Sequence, residues 1–267
     1  MERDEFFQLG SETAKAGFNN EFDVVLKFNN WIKDKDAQEW LTTMGYKLEE
    51  IQKVEAVKVP GSYKADIQAK IKIYLKDVID AQNISVKLVG IQSTSGIIKG
   101  KNQTDKRAVK KYIEMWDIPE DIGILLEKFC GVIKPEDNCN LRDKRRLFID
   151  EMSIEDQNKI INFFNDNKIM VVTDILKGRG QFAAEWMLVT HTSKKTKDTP
   201  SRWVLKPMNV VMNYYSQGKV QLSPRGSLNI GKIGMQRKGG DNGRETAKYL
   251  QFNIDPGQLF YISNDSL

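Results

Sequence analysis

The chain has 267 residues, of which 40% are hydrophobic and 29% charged, a balance typical of a globular protein with its own core. Lysine and arginine exceed aspartate and glutamate by 41 to 36, a mild excess that hints at a polyanionic partner. Two cysteines and one histidine exclude a disulfide framework, a Cys/His zinc site and a multi-histidine catalytic centre. Any catalysis must therefore use carboxylates, lysine, hydroxyls or a metal held by oxygen.

The sequence shows no targeting or membrane segment. Its first residues, Met1-Glu-Arg-Asp-Glu5, are charged and no apolar run follows them, so we expect no secretory signal. No apolar run reaches the roughly 18 residues that a membrane span needs. We therefore expect a cytoplasmic protein without membrane contact, in which Cys130 and Cys139 stay reduced.

Hydrophobic periodicity predicts helices first and then strands in the first third of the chain. Residues 11–33 and 36–53 show helical spacing, and residues 54–59 are typical of a short strand that ends at Pro60-Gly61. From residue 67, apolar and polar residues alternate, which predicts a half-buried strand. A polar turn at 76–83 separates it from a second alternating strand that starts at Ile84.

The remaining two thirds mix helices, loops and short strands. Ser153 and Asp156 form a capping-box variant that opens a helix reaching residue 166. The other predicted elements are a loop at 92–104, helices at 105–118 and 120–130, strands at 168–172 and 182–191, an exposed hairpin loop at 192–201, and short strands near 202–205, 219–223 and 227–237. No repeat or low-complexity linker interrupts the chain, so we expect a single domain over residues 1–267.

Three residues around the alternating strands form a candidate catalytic group. Ser85 and Lys87 are two apart, so they leave one face of the same strand, and Asp66 directly precedes the neighbouring strand. A hairpin with its turn between Lys76 and Asp77 would place Asp66 alongside Lys87. A carboxylate and a hydroxyl can hold Mg²⁺ through oxygen, and a lysine can orient water or neutralise phosphate charge. The alternative is an ordinary surface strand with a solvated serine and lysine.

Basic segments rich in glycine and amides favour nucleic acid as the partner. Residues 99–111 and 225–244 each carry at least five lysines and arginines against one aspartate. Asparagine and glutamine can bond base edges, and glycine lets a loop approach a groove. Such runs can equally form a solvated surface, and that alternative stays open on composition alone.

Several stretches resemble the HinP-type restriction endonucleases, in order and over nearly the whole chain. They include Leu9-Gly-Ser-Glu-Thr-Ala-Lys-Ala-Gly-Phe18, Ser62-Tyr-Lys-Ala-Asp66, Ile84-Ser-Val-Lys-Leu88, Asn102-Gln-Thr-Asp-Lys106 and Gln236-Arg-Lys-Gly-Gly-Asp-Asn-Gly-Arg-Glu-Thr-Ala247. The resemblance implies an α/β fold of the PD-(D/E)XK nuclease type, with a mixed central sheet flanked by helices and an MspI-like architecture. It also implies a type II enzyme that cuts double-stranded DNA at GCGC with Mg²⁺, beside a cognate DNA methyltransferase.

The resemblance also assigns roles to residues of this chain. Asp66 matches the metal-binding aspartate and Lys87 the catalytic lysine, whereas Ser85 stands where the HinP-type pattern has glutamine and the wider superfamily an acid. Glu21, on the first helix, is a candidate catalytic helper. Expected DNA contacts come from two segments and one residue between them: Asn102, Gln103 and Lys106; Arg237, Lys238, Asp241, Asn242 and Arg244; and Arg225.

The serine at position 85 keeps a second function open. A non-catalytic, sequence-specific DNA-binding protein on a nuclease scaffold would also have the basic segments and no complete set of acids. Digestion of a plasmid with Mg²⁺ and with EDTA separates the two, because only the nuclease nicks the DNA.

Overall fold

The computed structural model describes residues 3–59, 67–72, 78–91, 98–100, 102–136, 141–191, 202–238 and 248–262. Its contacts divide the chain into two compact units: Met1–Gly100 with Lys177–Val211 and Asp255–Leu267, and Lys101–Leu176 with Met212–Ile254. Each unit uses separate stretches of sequence, so no single cut divides them, and the single domain over 1–267 stays a prediction. Among the described residues, no helix is both long and apolar enough to cross a membrane.

The first unit contains a mixed sheet of six strands. Its order is β1-β2-β3-β6-β7, and β4 pairs with β3. Only β3 and β6 run parallel; every other pair is antiparallel. The strands are β1 (Lys53–Lys58), β2 (Ile67–Lys72), β3 (Asp80–Ile91), β4 (Ile98–Lys99), β6 (Trp186–His191) and β7 (Arg202–Pro207).

Two N-terminal helices cover one face of this sheet. They are α1 (Arg3–Asn29) and α2 (Lys35–Thr43), and a 3-10 turn at Leu48–Glu50 follows them. The N-cap of α2 is Asp34, whose carboxylate accepts from the Ala37 N–H at 3.0 Å. Val24 and Phe28 of α1 and Trp40 of α2 form a buried cluster with Ile84 and Val86 of β3. Because Ile84 and Val86 point into this cluster, the residues that alternate with them, Ser85 and Lys87, point to the other face of β3.

The second unit contains an antiparallel sheet of five strands in the order β5-β11-β10-β9-β8. The strands are β5 (Asn102–Ala108), β8 (Val220–Leu222), β9 (Leu228–Ile230), β10 (Ile233–Arg237) and β11 (Tyr249–Ile254). The helices of this unit are α3 (Val109–Met115), α4 (Glu120–Cys130), α5 (Ile154–Asp166) and α6 (Lys168–Leu176), and α7 (Met208–Ser216) spans the boundary. Tyr112, Trp116, Phe164 and Phe252 pack ring against ring between the helices and the sheet.

Most predicted elements are confirmed, with shifted ends. The alternating strands, the helix at 120–130 and the helix capped by Ser153 are present, and the Ser153 side chain accepts from the Asp156 N–H. The first helix starts at Arg3 rather than at residue 11. The second ends at Thr43, because Gly45 adopts a φ of +93° and turns the chain towards β1.

Two predictions are wrong for identifiable reasons, and two elements were not predicted. Residues 168–172 form part of α6, not a strand: Val171, Val172, Ile175 and Leu176 are buried at helical spacing, a pattern that five residues alone do not show. Residues 102–108 form β5 rather than a loop and a helix start. The strand was missed because its residues are polar and show no alternation of apolar and polar side chains. Helix α7 and strand β11 were not predicted at all.

Candidate active site and DNA-contacting strands

The candidate chemistry lies on the face of β3 that points away from α1. Ile84 and Val86 are buried against α1, so the alternation of the strand turns Ser85 and Lys87 to the opposite face. Ser85 is only 3% exposed, whereas Lys87 is half-buried. The predicted pairing of a hydroxyl with an ammonium group on one strand face is therefore confirmed in geometry.

Strand β6 pairs with β3 in parallel along the segment that contains Ser85 and Lys87. Ser85 is level with Met187 and Lys87 with Val189, and both partners are fully buried. Just before this region, the backbone N–H of Asn83 donates to the Glu185 carboxylate at 3.1 Å, and its side chain donates to the Gln181 carbonyl at 2.9 Å. These bonds fix the strand two residues before Ser85, and so position the backbone from which the two candidate side chains extend.

A second polar network secures the beginning of β3. The indole N–H of Trp186 donates to Gln82 at 2.7 Å, and the Gln82 amide donates to the Tyr46 hydroxyl at 2.7 Å. The Tyr46 hydroxyl in turn donates to the Asp80 carboxylate. Burial, with Asp80 beside it, raises the pKa of Tyr46, so the phenol stays a proton donor at neutral pH.

The pairing of β2 with β3 differs from the predicted register. Ile67 pairs with Ile84, whereas a turn between Lys76 and Asp77 would have paired it with Val86. The cause is that β3 starts at Asp80, inside the segment predicted as a turn, because its polar residues join the ladder. A displacement by two residues keeps every side chain on its predicted face. Asp66 lies outside the described residues, so its place beside this strand stays a prediction.

Glu21, the candidate catalytic helper, is engaged elsewhere. Its carboxylate forms an ion pair with Lys58 at 2.5 Å, and the Lys58 ammonium also lies 3.6 Å from the centre of the Phe18 ring. This contact joins α1 to the end of β1, on the sheet face that α1 covers. Ser85 and Lys87 leave the other face, so the described structure does not bring Glu21 to them.

The described residues contain no group of three or more Asp, Glu, His or Cys side chains that could hold a metal ion. Among the described residues, the Ser85 hydroxyl is an oxygen donor on the same strand face as Lys87. A site made of this hydroxyl and the predicted Asp66 carboxylate would leave most metal positions to water, which Mg²⁺ accepts readily. The donor set therefore fits a hard, hydrated cation.

The chain leaves β3 through a hairpin whose end is tied down. Gly90 pairs with Lys99 and Ile91 with Ile98, and the Gly100 N–H then donates to the Asp255 carboxylate at 3.0 Å. The same carboxylate accepts from the Gly257 N–H at 3.2 Å, as the N-cap of a 3-10 helix at Pro256–Tyr261. Gly100 is two residues before Asn102, so Asp255 anchors the start of the segment predicted to contact DNA.

The residues of that segment lie on β5. Gln103 pairs with Asn253 and Lys106 with Gln251 of β11, and a β-bulge between them leaves Thr104 without an opposite residue. Asn102 is level with Ile254, so Asn102 and Gln103 leave the strand on opposite faces. Gln103 is exposed, and Lys106 is half-buried.

Of the predicted DNA contacts at 237–244, the structure describes Arg237 and Lys238. The Arg237 side chain is only 9% exposed and lies 3.7 Å from Asp143, on the covered face of β10. Burial, with Arg145 nearby, lowers the pKa of Arg237. Lys238 follows at the end of β10, where its N–H donates to the Tyr249 carbonyl. Asp241, Asn242 and Arg244 lie outside the described residues.

Arg225 lies exposed in the tight turn between β8 and β9. The turn is closed by bonds to Ser223 and contains Gly226 at φ +72°. A Cβ atom at Gly226 would lie 2.2 Å from the Asp150 carboxylate, so only glycine fits here. The turn thus packs against the 142–151 segment, where the Ile149 N–H donates to the Gly226 carbonyl. This contact fixes the backbone next to Arg225.

Sequence reasoning missed two features of this region. Strand β11 alternates strictly, with Leu250, Phe252 and Ile254 buried, and this pattern was available in the sequence. The anchoring role of Asp255 had no comparable signal, since it depends on Gly100, 155 positions away in the sequence. His191, predicted as a strand residue rather than a base, is indeed buried in β6.

Comparison with known proteins identifies a family and a fold for this chain. A family model described as R.HinP1I restriction endonuclease matches residues 44–260. Among solved structures, the restriction endonuclease MspI in complex with its cognate DNA matches with a TM-score of 0.61 and 12% sequence identity, over 92% of each chain. No curated protein matches the sequence at the same level of significance.

At 12% identity, the structural match shows the fold. The family match covers residues 44–260 and so includes β3, β5 and β10. The strand with Ser85 and Lys87 thus lies inside the matched region, which favours the nuclease over the non-catalytic alternative. The chain belongs to the R.HinP1I restriction endonuclease family and is a type II site-specific deoxyribonuclease.

Proposed function

We propose that the chain cuts double-stranded DNA at GCGC with Mg²⁺, in a system that also contains a DNA methyltransferase for the same site. Restriction endonucleases of this family generally act with divalent metal ions. The observation that carries the proposal for this chain is the common strand face of Ser85 and Lys87 on a rigid β3. The four-base site is an expectation from the resemblance to HinP-type enzymes.

Asp66 and Ser85 are the proposed oxygen donors for the cation. Bound Mg²⁺ would lower the pKa of a coordinated water and polarise the scissile phosphate. Ser85 contributes a neutral hydroxyl from an almost fully buried position, which orients it without adding charge. Asp66 would supply the only negative charge in this set, so we expect it to determine cation affinity.

Lys87 is the proposed catalytic cation. Its ammonium leaves the same strand face as Ser85, two residues or about 7 Å along the strand. At that separation it can contact a phosphate oxygen or the attacking water while Ser85 faces the cation. A fixed positive charge stabilises the negative charge that develops on the phosphate in the transition state.

The proposal is tested by digesting a plasmid of known sequence with Mg²⁺, and with EDTA as the control. We expect discrete fragments with Mg²⁺ only, and ends that map to GCGC. Fragments with ends at another fixed sequence would reject the proposed site and leave the nuclease in place. Retarded but uncut plasmid at every Mg²⁺ concentration would reject Mg²⁺-dependent cleavage.

Prior methylation of the plasmid tests the proposed partner. A cytosine methyltransferase that acts at GCGC should protect the plasmid completely, because its product places a methyl group on the base edge that the enzyme contacts. A methyltransferase with an unrelated site is the control. Equal digestion of both plasmids would contradict the pairing.

A further inference from the structure

The second sheet has one apolar face and one polar face. On β11, the apolar residues Leu250, Phe252 and Ile254 point to the helices, where Phe252 packs against Tyr112 and Trp116. Tyr249, Gln251 and Asn253 alternate with them and leave the opposite face. The aromatic packing of this unit thus lies on the face opposite to these polar residues.

Strand register places β11 between the two segments that the sequence predicts to contact DNA. Lys106 of β5 is level with Gln251, and Gln251 is level with Gln236 of β10. One row along, Gln103 is level with Asn253, and Asn253 with Gly234. Cross-strand neighbours share a face, so these side chains form one continuous surface. Gln251 lies at its centre.

We call this surface the amide strip; it consists of Gln103, Lys106, Gln251, Gln236 and Lys238. Among the described residues of β5, β10 and β11, no carboxylate lies on this face. The only acidic residue of these strands, Asp105, is level with Phe252 on the other face and accepts from the Tyr112 hydroxyl at 2.9 Å. The strip therefore combines amides and ammonium groups on one face of the sheet.

A buried amide at the end of the strip is a second, independent sign of a ligand. Asn253 is only 6% exposed, and its side-chain nitrogen makes no hydrogen bond within the described part of the chain. A buried donor without an acceptor costs about 1–3 kcal/mol, so native proteins rarely leave one unsatisfied. An acceptor carried by a ligand or its water would satisfy this group beside Gln103.

We propose that the amide strip contacts base edges of duplex DNA, and that Gln251 is a specificity-determining residue. The inference rests on the proposed function. A carboxamide both donates and accepts, so it can donate to guanine O6 or N7 and accept from the cytosine amino group. Both bases of a G·C pair therefore offer it a partner. The two lysines can neutralise phosphates beside it.

The test compares Gln251→Glu with Gln221→Glu. Gln221 is an exposed glutamine on the same face of the same sheet, but on β8, at the edge remote from β5. Both changes keep the side-chain shape and add one negative charge; they differ in strand and in exposure, since Gln251 is half-buried and Gln221 is exposed. Affinity is measured with Ca²⁺ in place of Mg²⁺, on the GCGC duplex, on a one-base variant and on a pool of duplexes with random cores.

We expect Gln251→Glu to weaken the preferred duplex by about 100-fold and Gln251→Ala by about 10-fold, with Gln221→Glu within about twofold of the wild type. Melting temperatures identify any variant whose fold is damaged, and the alanine change adds no charge, so either variant can decide the outcome. If wild type discriminates between duplexes and both Gln251 variants do so equally well, the inference is overturned and the proposed function stands.

The random pool tests the proposed GCGC site separately from the role of the amide strip. Selection of a sequence other than GCGC would reject the proposed site, while loss of that selection in Gln251→Glu alone would still support the strip. Absence of binding to every duplex by the wild-type protein would overturn both. Equal losses in Gln251→Glu and Gln221→Glu would show a general charge effect and overturn the inference.

Discussion

The two sheets of the molecule distribute their polar groups in opposite ways. On the first sheet, Ser85 and Lys87 of β3 share a face with the buried apolar residues Met187 and Val189 and with the buried polar residues His191 and Lys206. On the second sheet, polar side chains occupy three adjacent strands and repeat along each of them. We therefore expect catalysis to depend on a few groups and DNA contact to be spread over many. Single substitutions should therefore act sharply on the first sheet and gradually on the second.

Ionic strength should give the largest effect, and it should act on binding alone. If roughly 5–8 phosphates are neutralised, log K falls against log salt with a slope of about −5 to −7, which weakens binding about 10³- to 10⁴-fold between 50 and 200 mM salt. The cleavage rate of the preformed complex should change little, because the catalytic groups are already in place. A fluorescence titration and a single-turnover assay measure the two quantities.

A slope near zero would contradict a DNA interface built from many lysines and arginines. An equal salt effect on binding and on single-turnover cleavage would instead show that recognition and chemistry share the same groups. Either result would remove the contrast between the two sheets.

Replacing Lys87 by alanine should lower the single-turnover cleavage rate by about 10²- to 10³-fold, because a fixed charge is lost where the transition state needs it. Specific affinity should stay within a few fold, since it is spread over many other contacts. Lys33→Ala, which removes an exposed lysine after α1, is the matched control. Near-normal cleavage by Lys87→Ala would reject its catalytic role.

Ser85→Ala should slow cleavage by about tenfold and raise the Mg²⁺ concentration required. A neutral hydroxyl binds Mg²⁺ weakly, and the cation commonly keeps several waters beside one or two carboxylates. Ser85→Gln, which restores the residue of the HinP-type pattern, should retain activity if the buried position has room. Single-turnover rates against Mg²⁺ concentration, with Asp66→Ala as reference, measure the effect.

Two outcomes would change the description of this position. If Ser85→Ala is as inactive as Asp66→Ala at saturating Mg²⁺, the serine has an essential role beyond weak ligation. If it matches wild type at every Mg²⁺ concentration, Ser85 lies outside the site and the β3 face does not carry the chemistry.

On the second sheet, Gln103→Ala should reduce discrimination between cognate and one-base-altered duplexes by about 1–3 kcal/mol. Asn242→Ala should do the same if the residue contacts a base. Arg225→Ala should instead weaken binding to all sequences equally, because a phosphate contact carries no sequence information. Affinities on the two duplexes give the comparison. Equal losses on both duplexes for Gln103 would show that it does not contact a base.

The sequence was most informative where burial imposes a period. Ser85 and Lys87 could be placed on one strand face because apolar residues alternate with them, and the Ser153 cap could be located because its chemistry is local. Strand β5 was missed because its polar residues, from Asn102 to Arg107, owe their strand conformation to pairing with β11, which is remote in sequence. The predicted β2–β3 register was wrong for the same reason: polar residues at the start of β3 pair with β2, which periodicity alone does not predict.

The smallest expected effect concerns stability in the second unit. Asp143 lies among three arginines: Arg145 at 2.8 Å, Arg146 at 3.6 Å and Arg237 at 3.7 Å. Hydrogen bonding from Arg145, with the positive charge around it, lowers the pKa of Asp143. Asp143→Asn should therefore reduce the free energy of unfolding by about 1–2 kcal/mol at neutral pH, because half-buried guanidinium groups lose their counter-charge.

The pH dependence of this effect has a definite sign. A carboxylate with a depressed pKa in the folded state binds fewer protons there than in the unfolded chain, so its stabilisation is full above the unfolded value of about 3.9. It is lost as the pH falls from there through the lower folded value. The difference between wild type and Asp143→Asn should accordingly be constant from pH 7 to about 5 and shrink in more acidic solution. Asp166→Asn, which changes an exposed aspartate at the end of α5, is the control in urea titrations. A difference that grows on acidification would mean that Asp143 is not stabilised by its arginines. If Asp143→Asn also changes the discrimination between duplexes, then the contact of Asp143 with Arg237 contributes to recognition, and recognition on the second sheet depends on its covered face as well.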